Sequence, residues 1–214
     1  MDDCCDLAGY DTTFGDRFAR RVVRRYGKRG LNATQRRLIS FLVERGVQDA
    51  SVLEIGGGVG DLHVELLRQG ARHVTNLEIS TSYEPLAAQL LEQTGLTERV
   101  TRRFLDIATS PDAVEAADIV VLHRVVCCYP DYERLLDAAG SHANKLLVFS
   151  HPPRNLITRS ILAWDNFRRR VKGNDFRTSA HPPGAMVGVL TARGLTPTYR
   201  HRGFTWCVVG LERC

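Results

Sequence analysis

The 214-residue chain predicts an α/β domain: a seven-stranded, mostly parallel sheet with helices on both faces and a C-terminal antiparallel hairpin strand. Three observations predict this. From residue 51 onward short apolar runs alternate with amphipathic helical patterns, the signature of βαβ units. The last two apolar runs are separated only by a short turn, so they pair antiparallel. Four glycines in five residues, Gly56, Gly57, Gly58 and Gly60, divide the first strand from the first crossover helix.

The elements follow in order. The segment "TTFGDRFARRVVRRYGKRG" reads as a helix, with Thr13 and Asp16 at capping-box spacing. Phe14, Phe18, Val22 and Tyr26 recur every four residues as one apolar face, and Arg17, Arg21, Arg24 and Lys28 line another side. A second helix spans about 33–45 and ends at Gly46. The first strand, "SVLEI", leads through the glycines to a helix with Leu62, Leu66 and Leu67 inward, closed by Gly70. A strand at 73–79 precedes a helix stopped by Gly95. The third strand, "RVTRRFLD", is less apolar and belongs near an edge. A short helix at 111–116 leads to "DIVVLHR", the fourth strand. Helix "PDYERLLDAAG" starts with Pro and acids, as a first turn should. The fifth strand, "NKLLVFSH", precedes a helix over 155–171 with Ile157, Ile161, Trp164 and Val171 on one side. One more helix precedes "LTPTYRHRG" and "FTWCVVGLER", the closing strands, joined at Arg202-Gly203. Pro197 suits an edge or a strand start. The plan is an N-terminal extension, 1–33, read as a tail and basic helix, followed by one domain, 34–214.

A hydrophobic content of 43% suits one domain with a sizeable core. No run approaches the roughly 18 apolar residues that cross a membrane. "MDDCCDLAGYD" has neither a basic n-region nor an apolar h-region, so a cytoplasmic location is expected. Cysteines at 4, 5, 127, 128, 207 and 214 have no C-x-x-C spacing. They are expected as free thiols, with no metal centre, and Cys4 and Cys5 belong to an exposed tail. The net charge of +5 is concentrated: seven basic residues lie between Arg17 and Arg29, and four between Arg168 and Lys172. Nucleic acid, a membrane surface and an anionic small molecule all fit such a balance. The arginine run near 168–170 also complements a helix C-terminus.

The glycine cluster decides more. No Lys-Ser or Lys-Thr follows Gly60, which excludes a triphosphate loop. A dinucleotide fingerprint begun at Gly56 would need a glycine at Asp61, and one begun at Gly58 would need it at His63. What stands is Glu54-x-Gly56-x-Gly58-x-Gly60. Two further acids end strands: Glu78 in "NLEIS" and Asp106 in "FLDIA". In open α/β sheets ligands bind at these carboxyl ends.

Glu54, the glycines, Glu78 and Asp106 together resemble the first motif and strand-end acids of the class I S-adenosylmethionine-dependent methyltransferases, over about residues 34–214. The resemblance implies a Rossmann-like sheet and S-adenosylmethionine as cofactor. It implies that Glu54 attracts the cationic amino-acid end, that Gly56, Gly57, Gly58 and Gly60 bind the cofactor by close backbone approach, and that Glu78, with Ile79 beside it, accepts the ribose hydroxyls. Asp106 and Ile107 would meet the adenine. A carboxylate suits two hydroxyls because it has two acceptor oxygens and no donor.

The loop after the fourth strand, "VLHRVVCCYPDY", faces the methyl group in that family. It lacks the D/N-P-P-Y motif of nucleic-acid amino-methyltransferases, and "HPPR" at 151–154 follows the wrong strand. Cys127-Cys128-Tyr129-Pro130 does not match a Pro-Cys nucleophile. His123 is the leading candidate to contact cofactor or acceptor, either as a general base or by packing alone. Tyr129 is the second catalytic candidate and His151 a weaker one, while His63, His73, His142 and His201 read as surface or structural. "HRVVCCYP" also resembles the corresponding loop of magnesium-protoporphyrin O-methyltransferases. The basic N-terminal helix then reads either as a lid over the cleft, holding an anionic acceptor, or as a solvated basic face. The expectation is O- or N-methylation of a small-molecule acceptor. An RNA methyltransferase and a non-catalytic module of the same fold are the alternatives, and the oligomeric state is left open.

Overall fold

A computed structural model describes Tyr10 and residues 13–213. Cys4 and Cys5 of the expected tail lie outside the described residues, as does Cys214. The strands are β1 (Ser51–Ile55), β2 (His73–Glu78), β3 (Val100–Phe104), β4 (Ala117–Leu122), β5 (Ala143–His151), β6 (Leu195–His201) and β7 (Cys207–Arg213). They form one sheet in the order β3-β2-β1-β4-β5-β7-β6. Strands β1 to β5 run parallel, and β7 lies antiparallel between β5 and β6. The expected mostly parallel sheet with a closing hairpin is therefore present. The polar β3 and the Pro197-bearing β6 take the two edges, where a missing N–H breaks no ladder between neighbours.

The helices are α1 (Asp16–Arg29), α2 (Ala33–Arg45), α3 (Asp61–Arg68), α4 (Glu84–Thr94), α5 (Tyr132–Ser141), α6 (Leu156–Val171) and α7 (Pro183–Ala192). The two-residue period of the strands splits the core into two layers. Val52, Ile119, Val121 and Val148 face α2 and α3 through Leu38, Phe41, Leu62 and Leu66. Leu53, Val120, Leu122 and Phe149 face α5 and α7 through Leu135, Leu136, Met186 and Leu190. A strand buried on both faces is apolar at nearly every position, as β4 is.

Several local expectations change. The Thr13–Asp16 capping box does not form: α1 starts from Gly15 with no side-chain cap, and Asp16 instead accepts from Arg20 one turn on, at 2.8 Å. The capping box lies at α2, where Asn32 Oδ1 accepts from Thr34 and Gln35 N–H, and Gln35 Oε1 accepts from Asn32 N–H. The expected helix at 111–116 is a single 3-10 turn, Pro111–Ala113. Strand β7 begins at Cys207, so Phe204 belongs to the turn. The apolar side of α6 faces solvent, and α6 has no buried residue.

Candidate functional site

A cavity of about 320 Å³ lies where β1, β2 and β4 end. Its wall includes Gly56, Gly57 and Gly58 after β1, Glu78, Ile79 and Ser80 at the end of β2, and His123, Arg124 and Val125 after β4. The neighbours of β1 on its two sides are β2 and β4, so this is the point where the strand order reverses. Helix α1 closes the other side with Phe18, Arg21, Val22 and Arg25. It is seated there because Ala19 is fully buried with Val59 and Tyr83.

The glycine loop is built for close approach. Gly56 has φ +66°, and a Cβ on it would strike Val125. A Cβ on Gly57 would collide with the Asn76 amide and the Glu54 carboxylate. From β3, Arg102 holds the loop by donating to Gly58 O at 3.0 Å and to Glu84 Oε1 at 3.0 Å.

Each predicted residue has a definite place. Glu54 is buried on the cavity floor, with its Oε2 2.5 Å from His63 Nδ1 and 3.4 Å from Asn76 Nδ2. His63 is fully buried and its Nε2 has no hydrogen-bond partner among the described residues; neither has Asn76 Oδ1. Glu78 accepts three backbone N–H groups: Gly58 on Oε2 at 2.8 Å, and Ile79 and Ser80 on Oε1 at 2.9 and 3.2 Å. Burial raises its pKa, and these N–H donors and Arg102 oppose the rise. With about four lone-pair sites on a carboxylate, Oε2 keeps room for an incoming donor.

Asp106 accepts Ala108 N–H on Oδ1 at 2.9 Å and the Tyr129 hydroxyl on Oδ2 at 2.8 Å. Tyr129 therefore braces Asp106 while also lining the cavity. Gly60, Asp106 and Ile107 stand outside the cavity wall, and Ile107 packs into the core. His123 lines the wall with Nδ1 3.0 Å from Ser150 Oγ, which also accepts Arg124 N–H at 2.9 Å. Burial, and then the Arg124 and Arg25 cations, push His123 down to about 3. It stays neutral near pH 7, where a general base works best with a pKa close to the ambient pH.

Further residues of the wall carry no ligand signal of their own in the sequence. In sequence Asp61 shows only as a position lacking glycine, yet it is buried, accepts from Gln35 Nε2 at 2.8 Å and lies 3.5 Å from Arg25. Its place in the first turn of a helix, directly after the glycines, was the available signal. Burial raises its pKa, against the Gln35 hydrogen bond. Gln35 reaches the cavity from α2, and no local pattern marks it. Arg25 lines the wall with its Nε unpartnered among the described residues. Arg124 sits at φ +62°, rare for a residue other than glycine, with its guanidinium 4.7 Å over the Trp206 ring. Of the buried polar atoms without a partner among the described residues, Arg25 Nε belongs to a residue of the cavity wall, and an unpaired donor there fits a site built for a ligand.

Residues 24–206 match a family model described as a methyltransferase domain. Magnesium protoporphyrin IX methyltransferase from Synechocystis PCC 6803, solved with bound S-adenosylhomocysteine (SAH), has a similar fold. The TM-score is 0.76 at 19% identity, over 98% of this chain and 100% of that one. An O-methyltransferase family protein from Burkholderia thailandensis gives a TM-score of 0.67 at 18% identity, over 84% of this chain and 56% of that one. Mouse EEF1A lysine methyltransferase 2 is 37% identical over 73 residues, which span 34% of this chain and 28% of that protein.

Proposed function

Because the chain belongs to the methyltransferase-domain family, we propose that it transfers a methyl group from S-adenosylmethionine to a small anionic acceptor. The observation that carries this is one cavity that joins the glycine loop and Glu78 to three arginines, Arg21, Arg25 and Arg124.

The cofactor supplies a methyl group already activated on a sulfonium. Around it, the backbone of Gly56 to Gly58 allows close approach, and Glu78 offers its remaining acceptor capacity to a ribose hydroxyl. Asp106, braced by Tyr129 and standing beyond the wall, is the acid that would meet the adenine. Glu54, held by His63 and Asn76, and Asp61, held by Gln35, present negative charge toward an ammonium. Arg25, with its unpartnered Nε, suits a carboxylate.

The acceptor side follows from charge. Three cations lining one cavity raise the local concentration of an anion. A carboxylate acceptor reaches them already deprotonated, so its oxygen needs no base. His123 agrees with this: held neutral, it orients by hydrogen bonding and packing, and positioning supplies the acceleration. Arg124, at φ +62°, lines the cavity and carries its guanidinium over the Trp206 ring, which restricts where that charge sits.

Calorimetry with SAH tests the cofactor, and a transfer assay over small carboxylic acids tests the acceptor. The expected result is SAH binding and methyl-ester formation, with Arg124→Gln raising KM about tenfold at unchanged SAH affinity. No SAH binding overturns the reading. A salt-sensitive RNA shift with methyl transfer to RNA would assign the exposed arginines of α1 to nucleic acid instead. SAH binding without transfer to any acceptor would point to a non-catalytic module.

A further inference from the structure

Helix α6 shows its apolar side to water. Leu156, Ile157, Ile161, Trp164, Phe167 and Val171 are each more than half exposed, from 55% at Ile161 to 78% at Leu156. At about 100° per residue these six fall within one arc of roughly 140°. The Trp164 and Phe167 rings stack within that arc, with centroids 5.9 Å apart. The polar side holds α6 to the body. Asn166 Nδ2 donates to Thr178 O at 2.8 Å, Arg169 donates to Thr178 Oγ1 at 3.2 Å, and the Arg169 guanidinium lies over the Phe176 ring. An ordinary surface helix does the reverse.

Cations border the stripe. Between Arg154 and Lys172 the chain carries six arginines and lysines against one acid, Asp165. Arg154 and Arg159 are exposed near the start of α6, and Arg168, Arg170 and Lys172 near its end. A second apolar group lies on the same edge of the sheet. Phe204, 88% exposed, sits in the turn before β7 beside the exposed Arg202. Cys207 of β7 pairs with His151, from which β5 leads to α6. The cavity lies at this same edge, where the parallel strands end.

We propose that α6 and the Phe204 turn dock the protein on an anionic lipid surface. No described helix is long and apolar enough to cross a membrane, and α6 spans only about 24 Å. An apolar stripe with Trp and Phe, bordered by Arg and Lys, matches a helix lying in the interface plane. The aromatic rings enter the acyl boundary while the long cationic side chains reach the phosphates. A second copy is the poorer occupant, because a two-fold contact of identical stripes would set two rows of cations against each other.

The test uses the full chain with vesicles of phosphatidylcholine alone and of phosphatidylcholine with phosphatidylglycerol, read by co-sedimentation. The expected result is binding to the anionic vesicles only, weakened by salt. Ile161→Asp, and separately the charge reversals Arg168→Glu with Arg170→Glu, should each lower the bound fraction at least about tenfold. SAH affinity and far-UV circular dichroism should stay unchanged, since these side chains are exposed and lie outside the cavity. That readout separates failure of docking from failure of the cofactor reading. Absence of binding to anionic vesicles at low salt overturns the proposal, as does binding that Ile161→Asp leaves intact. Self-association that Ile161→Asp abolishes, without vesicle binding, also overturns it and assigns the stripe to a second copy.

Discussion

Glu78 ties the glycine loop to the end of β2 by accepting N–H groups from Gly58, Ile79 and Ser80. Glu78→Ala would leave three donors without this acceptor, the buried Ser80 N–H among them, at about 1–3 kcal/mol for a buried group. It should lower both thermal stability and SAH affinity, the latter by about tenfold or more, as calorimetry would show. Burial separates the folded and unfolded pKa of His123, at about 3 against 6.5. The unfolded chain then binds more protons between those values, so stability present above pH 6.5 is lost as pH falls toward 3. His123→Leu should flatten that slope when melting temperatures of the two proteins are compared from pH 7 down to about pH 4. At this scale the sequence shows the acids and the glycine spacing, because both sit at strand ends. It cannot show that Glu54 meets His63, since that contact depends on how α3 packs back against β1.

Helix packing decides what periodicity leaves open. The recurring apolar residues of α1 and α6 look alike in sequence, yet α1 buries Ala19 and Tyr26 whereas α6 buries nothing. The difference lies in what each meets: α1 rests on Val59 and Tyr83, and α6 is held by Asn166 and Arg169 on its other side. Gly210 in β7 is a similar case. A strand glycine without a neighbouring turn has no evident role in sequence, but a Cβ there would run into the Phe41 ring of α2. Gly210→Ala should destabilise by about 1–3 kcal/mol through overpacking. Urea unfolding would show a lower midpoint at an unchanged slope.

The whole molecule gathers strand ends that are far apart in sequence around one cavity. Ligand binding to the folded state alone must therefore stabilise all of it. SAH at about 100 times its Kd should add about 2.7 kcal/mol, seen as a rise in melting temperature that Glu78→Ala suppresses at the same SAH concentration. The sequence by itself determined the mostly parallel sheet, its closing hairpin, its edge strands and the three strand-end acids, because these follow from local periodicity, breakers and spacing. Only the tertiary structure decided that Arg25, Gln35 and Asp61 meet at the cavity, that Tyr129 braces Asp106 and that the apolar side of α6 stays uncovered. Those are contacts between elements, and each depends on which faces the finished sheet leaves available.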